Sequence, residues 1–189
     1  MAIILTTSRL LLREATLADA DEVTRILQDP AIYENTLNIP SPYTKEQALA
    51  WLGSVEESRA AGKSGWTFAI RFQDDERLLG MIGLGEVNRH DETEAGYWLD
   101  QAYWGRGITT EALEEVIRFA FEYGCHRVSA RHFTGNTASG RVMEKAGMKY
   151  EGLLKESLKK EGRYYDDVCY AILNPAQTHL RAGGQDHGD

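Results

Sequence analysis

Apolar and polar positions along this chain alternate between a period of two and a period of 3.6, and each change of period marks an element. Leu10-Leu11-Leu12, set between Arg9 and Arg13-Glu14, reads as a short strand. Helical spacing follows at Leu17, Ala20, Val23, Ile26 and Leu27, opened by Thr16 with Asp19 in capping-box position and closed at Pro30. The segment Tyr33–Tyr43 holds Pro40 and Pro42 and no clear period, so it reads as a loop. Thr44 and Gln47 make a second capping box ahead of Ala48, Trp51, Leu52 and Val55, and Gly62 ends that helix. Trp66, Phe68, Ile70 and Phe72 alternate with smaller or polar residues, as in a half-buried strand. A polar connection at residues 73–77 leads to a return strand, Leu78–Val87, which Gly80, Gly83 and Gly85 are expected to weaken or bend. After a turn the strand Thr93–Asp100 completes three antiparallel strands.

Beyond Thr109 apolar residues recur at Leu113, Val116, Ile117 and Ala120, one buried helix face, and Gly124 ends it. A strand at Arg127–Phe133, a helix over Thr137–Ala146 capped by Asn136 and stopped by Gly147, and strands at Met148–Leu154 and Tyr164–Leu173 follow. Residues 1–175 read as one domain, and residues 176–189 as a polar, disordered tail.

The junction Tyr103-Trp104-Gly105-Arg106-Gly107-Ile108-Thr109-Thr110 carries the first chemical signal. A strand that turns through two glycines into a helix leaves backbone N–H groups without helical acceptors at the positive end of the helix dipole. With an arginine beside them they suit a phosphate or pyrophosphate, because glycine lets the oxygens approach the backbone. An ordinary strand-to-helix connection accounts for the same residues equally well. No Gly-Lys-Ser/Thr follows, and the third glycine of a dinucleotide fingerprint is missing.

Composition narrows the partners. The net charge of −8 argues against a nucleic-acid surface and suits a cationic partner, an amine or a basic polypeptide terminus. No apolar run reaches bilayer length, so no membrane role is expected. Two isolated cysteines, Cys125 and Cys169, suggest neither a disulfide framework nor a metal knuckle, which points to a reducing cytoplasm and no metal. Apolar outer strands leave monomer and homodimer both open.

The order of these elements, together with Thr7-Ser8-Arg9-Leu10-Leu11-Leu12-Arg13, Pro42-Tyr43-Thr44, Leu79-Gly80-Met81-Ile82-Gly83, Glu94-Ala95-Gly96-Tyr97-Trp98-Leu99, Tyr103-Trp104-Gly105-Arg106-Gly107, Asn136-Thr137-Ala138-Ser139, Glu144-Lys145-Ala146-Gly147-Met148 and Glu151-Gly152, resembles the GNAT superfamily of acetyl-CoA-dependent N-acetyltransferases, and within it the RimJ/RimL type. The resemblance runs from about Ser8 to Pro175. It implies an α+β fold whose mixed, mostly antiparallel sheet of about seven strands, flanked by about four helices, splays at a central acetyl-CoA cleft between Glu94–Leu99 and Arg127–Phe133. The pyrophosphate would rest on backbone amides from Gly105 through Arg106, Gly107, Ile108 and Thr109 to Thr110, and the pantetheine along Trp98, Leu99 and Asp100. The superfamily turn usually reads Gln/Arg-x-x-Gly-x-Gly/Ala; here Trp104 and Thr109 stand at its first and last positions.

The same resemblance implies direct acetyl transfer to a primary amine in a ternary complex, most naturally the α-amine of a protein or peptide such as a ribosomal protein. A small-molecule amine (polyamine, amino acid or antibiotic) and a non-catalytic acyl-CoA-binding module are the alternatives. Glu94 stands where several members place a base; an exposed strand carboxylate explains it equally. Ser139 matches the serine that faces the CoA sulfur and would orient the thiolate. Met143 occupies the position where many members carry a tyrosine acid. Asn136 is expected to cap its helix and hold pantetheine, and His132 to be structural. The Tyr33–Tyr43 loop, the strand at Glu94 and a hairpin between Lys155 and Tyr165 are expected to form the acceptor pocket.

Overall fold

The computed structural model describes residues 2–177. In chain order it contains β1 (Ile4–Thr6), β2 (Leu10–Glu14), α1 (Ala20–Leu27), α2 (Pro30–Glu34), α3 (Lys45–Ala60), β3 (Trp66–Phe72), β4 (Asp75–Leu84), β5 (Glu92–Leu99), α4 (Ile108–Tyr123), β6 (Arg127–Phe133), α5 (Thr137–Lys145), β7 (Lys149–Lys160) and β8 (Arg163–Leu173). The strands form one sheet in the order β1-β2-β3-β4-β5-β6-β8-β7. Every neighbouring pair is antiparallel except β5 with β6. This is the expected mixed architecture, with eight strands and five α-helices in place of about seven and four.

The additions are short elements. β1 is a three-residue edge strand whose amphipathic signal is too brief to read. Pro30, expected to close a helix, instead opens α2, where its fixed φ suits the first helical position and Asp29 accepts a hydrogen bond from Ala31 N–H. The loop reading of Tyr33–Tyr43 is therefore corrected at its start, since Tyr33 and Glu34 are helical. Gly80 and Gly83 do not interrupt β4. A Cβ at Gly80 would lie 2.3 Å from the Trp98 carbonyl oxygen, so this glycine lets β4 approach β5 closely. Ala176 and Gln177 close a turn after β8, and the remainder of the expected tail lies outside the described residues.

Both sheet faces are covered. On one, α4 and α5 pack Ile108, Leu113, Val116, Ile117 and Met143 against Phe68, Ile70, Ile82 and Val128. Fully burying each such side chain contributes about 1.5–3 kcal/mol relative to exposure. On the other, α1 and α3 bring Val23, Ile26, Leu27, Ala48 and Leu52 onto Ala69, Leu78 and Met81. Asp19, just before α1, is fully buried among cations. Its carboxylate accepts hydrogen bonds from Arg13 Nη1 at 2.9 Å, Arg71 Nη2 at 2.8 Å and Thr16 N–H at 2.9 Å.

Candidate active site

β5 and β6 pair only from Glu92↔Arg127 to Ala95↔Ala130, and beyond that point they diverge. β5 stays bound to β4 as far as Leu99, and β6 stays bound to β8 as far as Phe133. Each half of the sheet is thus held by its outer neighbour while the edges facing the gap go unpaired. Gly85 N–H donates to Glu94 O and Asp100 N–H to Leu79 O, so even-numbered residues of β5 turn their backbone groups toward β4. By the alternation of an antiparallel ladder, Tyr97 and Leu99 turn theirs into the gap. Trp104 Nε1 donates to the Leu99 carbonyl at 2.8 Å, leaving the Leu99 amide facing the gap.

The gap is a cavity of about 520 Å³ whose walls include Leu99, Trp104, Gly105, Gly107, Ile108, Thr109, Thr110, Asn136 and Ser139. Gly105 and Gly107 both have φ of +74°, and α4 begins directly after Gly107. The first α4 hydrogen bond runs from Glu111 N–H to Gly107 O. The amides of residues 107–110 consequently have no acceptor within the helix. A Cβ at Gly105 would meet no atom within 4 Å, so the backbone there fronts open space. This cradle fits the diphosphate of acetyl-CoA.

Glu111, one turn into α4, would repel a phosphate if it were unpaired. It is instead turned to residues 7–9, where Thr7 Oγ1, Ser8 Oγ, Arg9 N–H and Arg9 Nε all donate to its carboxylate. Burial pushes the Glu111 carboxyl up, and the donors from Thr7 and Arg9 more than reverse this, leaving it below its ordinary value. Arg9 also donates to the Arg106 carbonyl through both terminal nitrogens, at 3.2 and 3.3 Å, bracing the glycine turn.

Across the gap, the Asn136 side chain accepts from Ser139 N–H at 3.1 Å, capping α5 while its amide NH₂ stays able to donate. Ser139 Oγ lies 2.8 Å from the Tyr97 hydroxyl, which also stands 3.3 Å from the Ser139 carbonyl. Burial pushes the Tyr97 phenol up to about 12, so it stays protonated at neutral pH. Met143, in the position read as unable to supply an acid, is buried in the core. His132 lines the cavity but packs tightly, its Nε2 so close that a Cβ on Gly140 would meet it at 2.8 Å.

A second cavity, about 800 Å³, opens on the α1/α3 face of the same strand and shares Ala95, Gly96, Tyr97 and Trp98 with the first. Its lining includes Ile39, Pro40 and Tyr43 from the loop, Gln47 and Trp51 from α3, and Glu94. Glu94 is about half exposed and pairs with Arg131 Nε at 3.4 Å; Arg131 reaches on to the fully buried Asp167 at 3.6 Å. The 155–165 hairpin is absent from this lining. Its Lys160 ammonium instead donates to the Tyr33 and Thr36 carbonyls and sits 3.6 Å from the Tyr33 ring centroid, fastening the end of α2.

Of the residues singled out in the sequence, the structure gathers Trp98, Leu99, Trp104, Gly105, Gly107, Ile108, Thr109, Thr110, Asn136 and Ser139 around the first cavity and Glu94 around the second. Asp100 and Arg106 lie outside both linings. The Asp100 carboxylate accepts from Ala102 N–H and pairs with Arg25, and Arg106 lies over the Tyr103 ring. The cations that do line the first cavity are Arg131, Arg141 and Lys145. Sequence reasoning missed these, along with Tyr97, because only the fold shows which way they face. Among the described residues no cluster of His, Cys, Asp and Glu could hold a metal ion.

Residues 9–149 match the family described as Acetyltransferase (GNAT) domain. The chain is 30% identical over 178 residues to a Bacillus subtilis protein described as uncharacterized N-acetyltransferase YoaA, covering 92% of this chain and 98% of the relative. It is 29% identical over 132 residues to the [ribosomal protein uS5]-alanine N-acetyltransferase of Escherichia coli, covering 68% of each. A solved structure of RimL, described as a ribosomal L7/L12 alpha-N-protein acetyltransferase in complex with coenzyme A, superimposes with a TM-score of 0.81 at 21% identity. That alignment covers 90% of this chain and 98% of RimL, a likeness of fold.

Proposed function

From the premise that this chain belongs to the GNAT acetyltransferase family and is an acetyl-CoA-dependent enzyme, we propose that it acetylates the N-terminal α-amine of a protein or peptide by direct transfer in a ternary complex. The observation that carries this reading is the meeting of two cavities at residues 95–98 of β5. A thioester laid along one and an amine entering from the other come together without a covalent enzyme intermediate. The uS5-alanine acetyltransferase relative supports an α-amine as acceptor.

In this reading the amides of residues 107–110 hold the diphosphate at the α4 N-terminus. The gap-facing backbone of Tyr97 takes a pantetheine amide as an added strand would, and Asn136 donates to a pantetheine carbonyl. The Leu99 amide polarises the thioester carbonyl as the amine nitrogen attacks its carbon. When the carbon–sulfur bond breaks, Ser139 donates a hydrogen bond to the departing thiolate, which takes up the proton that the amine nitrogen sheds as the amide forms and leaves as the thiol. Tyr97 donates to Ser139 Oγ, which aims the serine proton at sulfur. A phenol at about 12 is too weak an acid to protonate a thiolate, so Tyr97 is a positioning residue. Glu94 lies three residues from Tyr97, about 10 Å along an extended strand, so it draws the ammonium proton through water.

Ser139→Ala is expected to lower kcat about 10- to 100-fold, the value of a hydrogen bond to a charged group, with little change in acetyl-CoA affinity. Tyr97→Phe should cost less. In the double variant the losses should fall short of additive, because both act on one donor; steady-state kinetics on all three proteins measures this coupling. Glu94→Gln should reduce kcat/KM by about 100-fold near pH 7 and less as the pH rises past about 8, where α-amines lose their own proton. A pH profile that stays parallel to the parent's would remove Glu94 from the proton path.

The assay that tests the proposal follows free-thiol release from acetyl-CoA with peptides whose α-amine is free or blocked. Release only with free N-termini is the expected result. Preference for a lysine side chain or a small amine would overturn the α-amine acceptor, and acetyl-CoA binding without turnover on any amine would overturn catalysis.

A further inference from the structure

Resting on the reading that the second cavity receives the acceptor, we infer that the acceptor is a primary amine with a single positive charge and an apolar or aromatic group next to it. Polyamines, and amines bearing acidic groups, are disfavoured. Glu94, Gly96 and Trp98 project from the same face of β5, and their register partners on β4 include Gly83 opposite Gly96 and Met81 opposite Trp98. The Gly83–Gly96 pair leaves a floor of bare backbone between a carboxylate at one end and an indole at the other. A Cβ at Gly96 would meet no atom within 4 Å, so the floor is open above that strand.

Tyr43 and Trp51 continue the wall from the loop and α3. Among the described residues lining this cavity, Glu94 is the one with a charged side chain. One carboxylate matches one ammonium. The further ammonium groups of a polyamine would leave water with no counter-charge, and an acidic group would find no cation. Arg131 does not supply one, since it lines the first cavity and is shared between Glu94 and Asp167. The aromatic wall, by contrast, rewards an apolar body and tolerates an adjacent ammonium.

The test compares kcat/KM for a Phe-initiated peptide against an Asp-initiated peptide and spermidine. The Phe-initiated peptide is expected to exceed the others by about tenfold or more, and equal or reversed preference overturns the inference. Trp51→Ala strips an aromatic wall that belongs to the second cavity and not to the first, and should raise KM for the Phe-initiated peptide about tenfold while calorimetry finds acetyl-CoA affinity unchanged. Loss of acetyl-CoA affinity instead would show that this wall serves the thioester and would overturn the assignment. Should no amine be turned over, tryptophan fluorescence with CoA present still reads binding. Preferential quenching by 2-phenylethylamine over spermidine would then uphold the inference apart from catalysis, and its absence would overturn it.

Discussion

Gly107→Val is expected to lower acetyl-CoA affinity by about 100-fold or more, because a branched side chain at this corner disturbs several charge-assisted hydrogen bonds together. Gly107 sits at φ +74° immediately before α4. A β-branched residue there is strained, and relieving the strain rotates the amides of residues 107–110 away from a common focus. Strain alone also destabilises the fold, by about 1–2 kcal/mol, so a control is needed. Gly124→Val provides it. Gly124 ends the same helix at φ +116° with no atom within 4 Å of an added Cβ, and it does not line the first cavity. Calorimetry should find affinity lost in the first variant and kept in the second, while both melt at lower temperature. Equal affinities would mean that the α4 N-terminus does not hold the diphosphate.

Asp19→Ala is expected to destabilise the protein by about 3–5 kcal/mol, the usual cost of removing one partner from a buried ion pair. The carboxylate is fully buried, and Arg71, largely buried with it, is left with the partly exposed Glu22 at 3.2 Å once Asp19 is gone. Chemical denaturation measures the loss, and a loss below about 1 kcal/mol would mean that the site relaxes or admits water. The same pair has a pH signature. Burial alone would push the Asp19 carboxyl up, but hydrogen bonds from Arg13, Thr16 N–H and Arg71 outweigh it and hold the group below its ordinary value of 3.8. A group depressed in the folded state stabilises fully above its unfolded value and loses that contribution as the pH falls through the folded one. Stability should therefore drop below about pH 4, and the Asp19→Ala variant should show a shallower acid limb.

Both predictions concern residues that the sequence singled out, yet for different reasons. Gly105 and Gly107 were legible as a phosphate corner because the signal is local: two glycines, then the apolar face of a helix. Asp19 was legible only as half of a capping box with Thr16, while Arg71, 52 residues away, makes it a core carboxylate. The Thr7-Ser8-Arg9 segment could be quoted as part of a family pattern without a job attached to it. Its job is to hold Glu111, 102 residues beyond Arg9, out of the anion site.

Tyr97 shows the same limit from the other side. Its position on β5 was clear, but its hydroxyl meets Ser139 from 42 residues away. On α5 the position that would carry a tyrosine acid holds Met143, so the sequence offers no acid there. Arg106, adjacent to the glycines in sequence, turns out to lie over Tyr103, and the cavity's cations come from β6 and α5.

By itself, then, the sequence determined what depends on near neighbours: the longer strands and helices, the capping boxes at Thr16 and Thr44, and the glycine corner that starts α4. Tertiary structure alone decided which backbone edge faces the gap, which cations line it and how Tyr97 meets Ser139. Periodicity fixes a side chain's face within its own element, whereas these features depend on strand register and on divergence after Ala95, which arise only when distant segments pack.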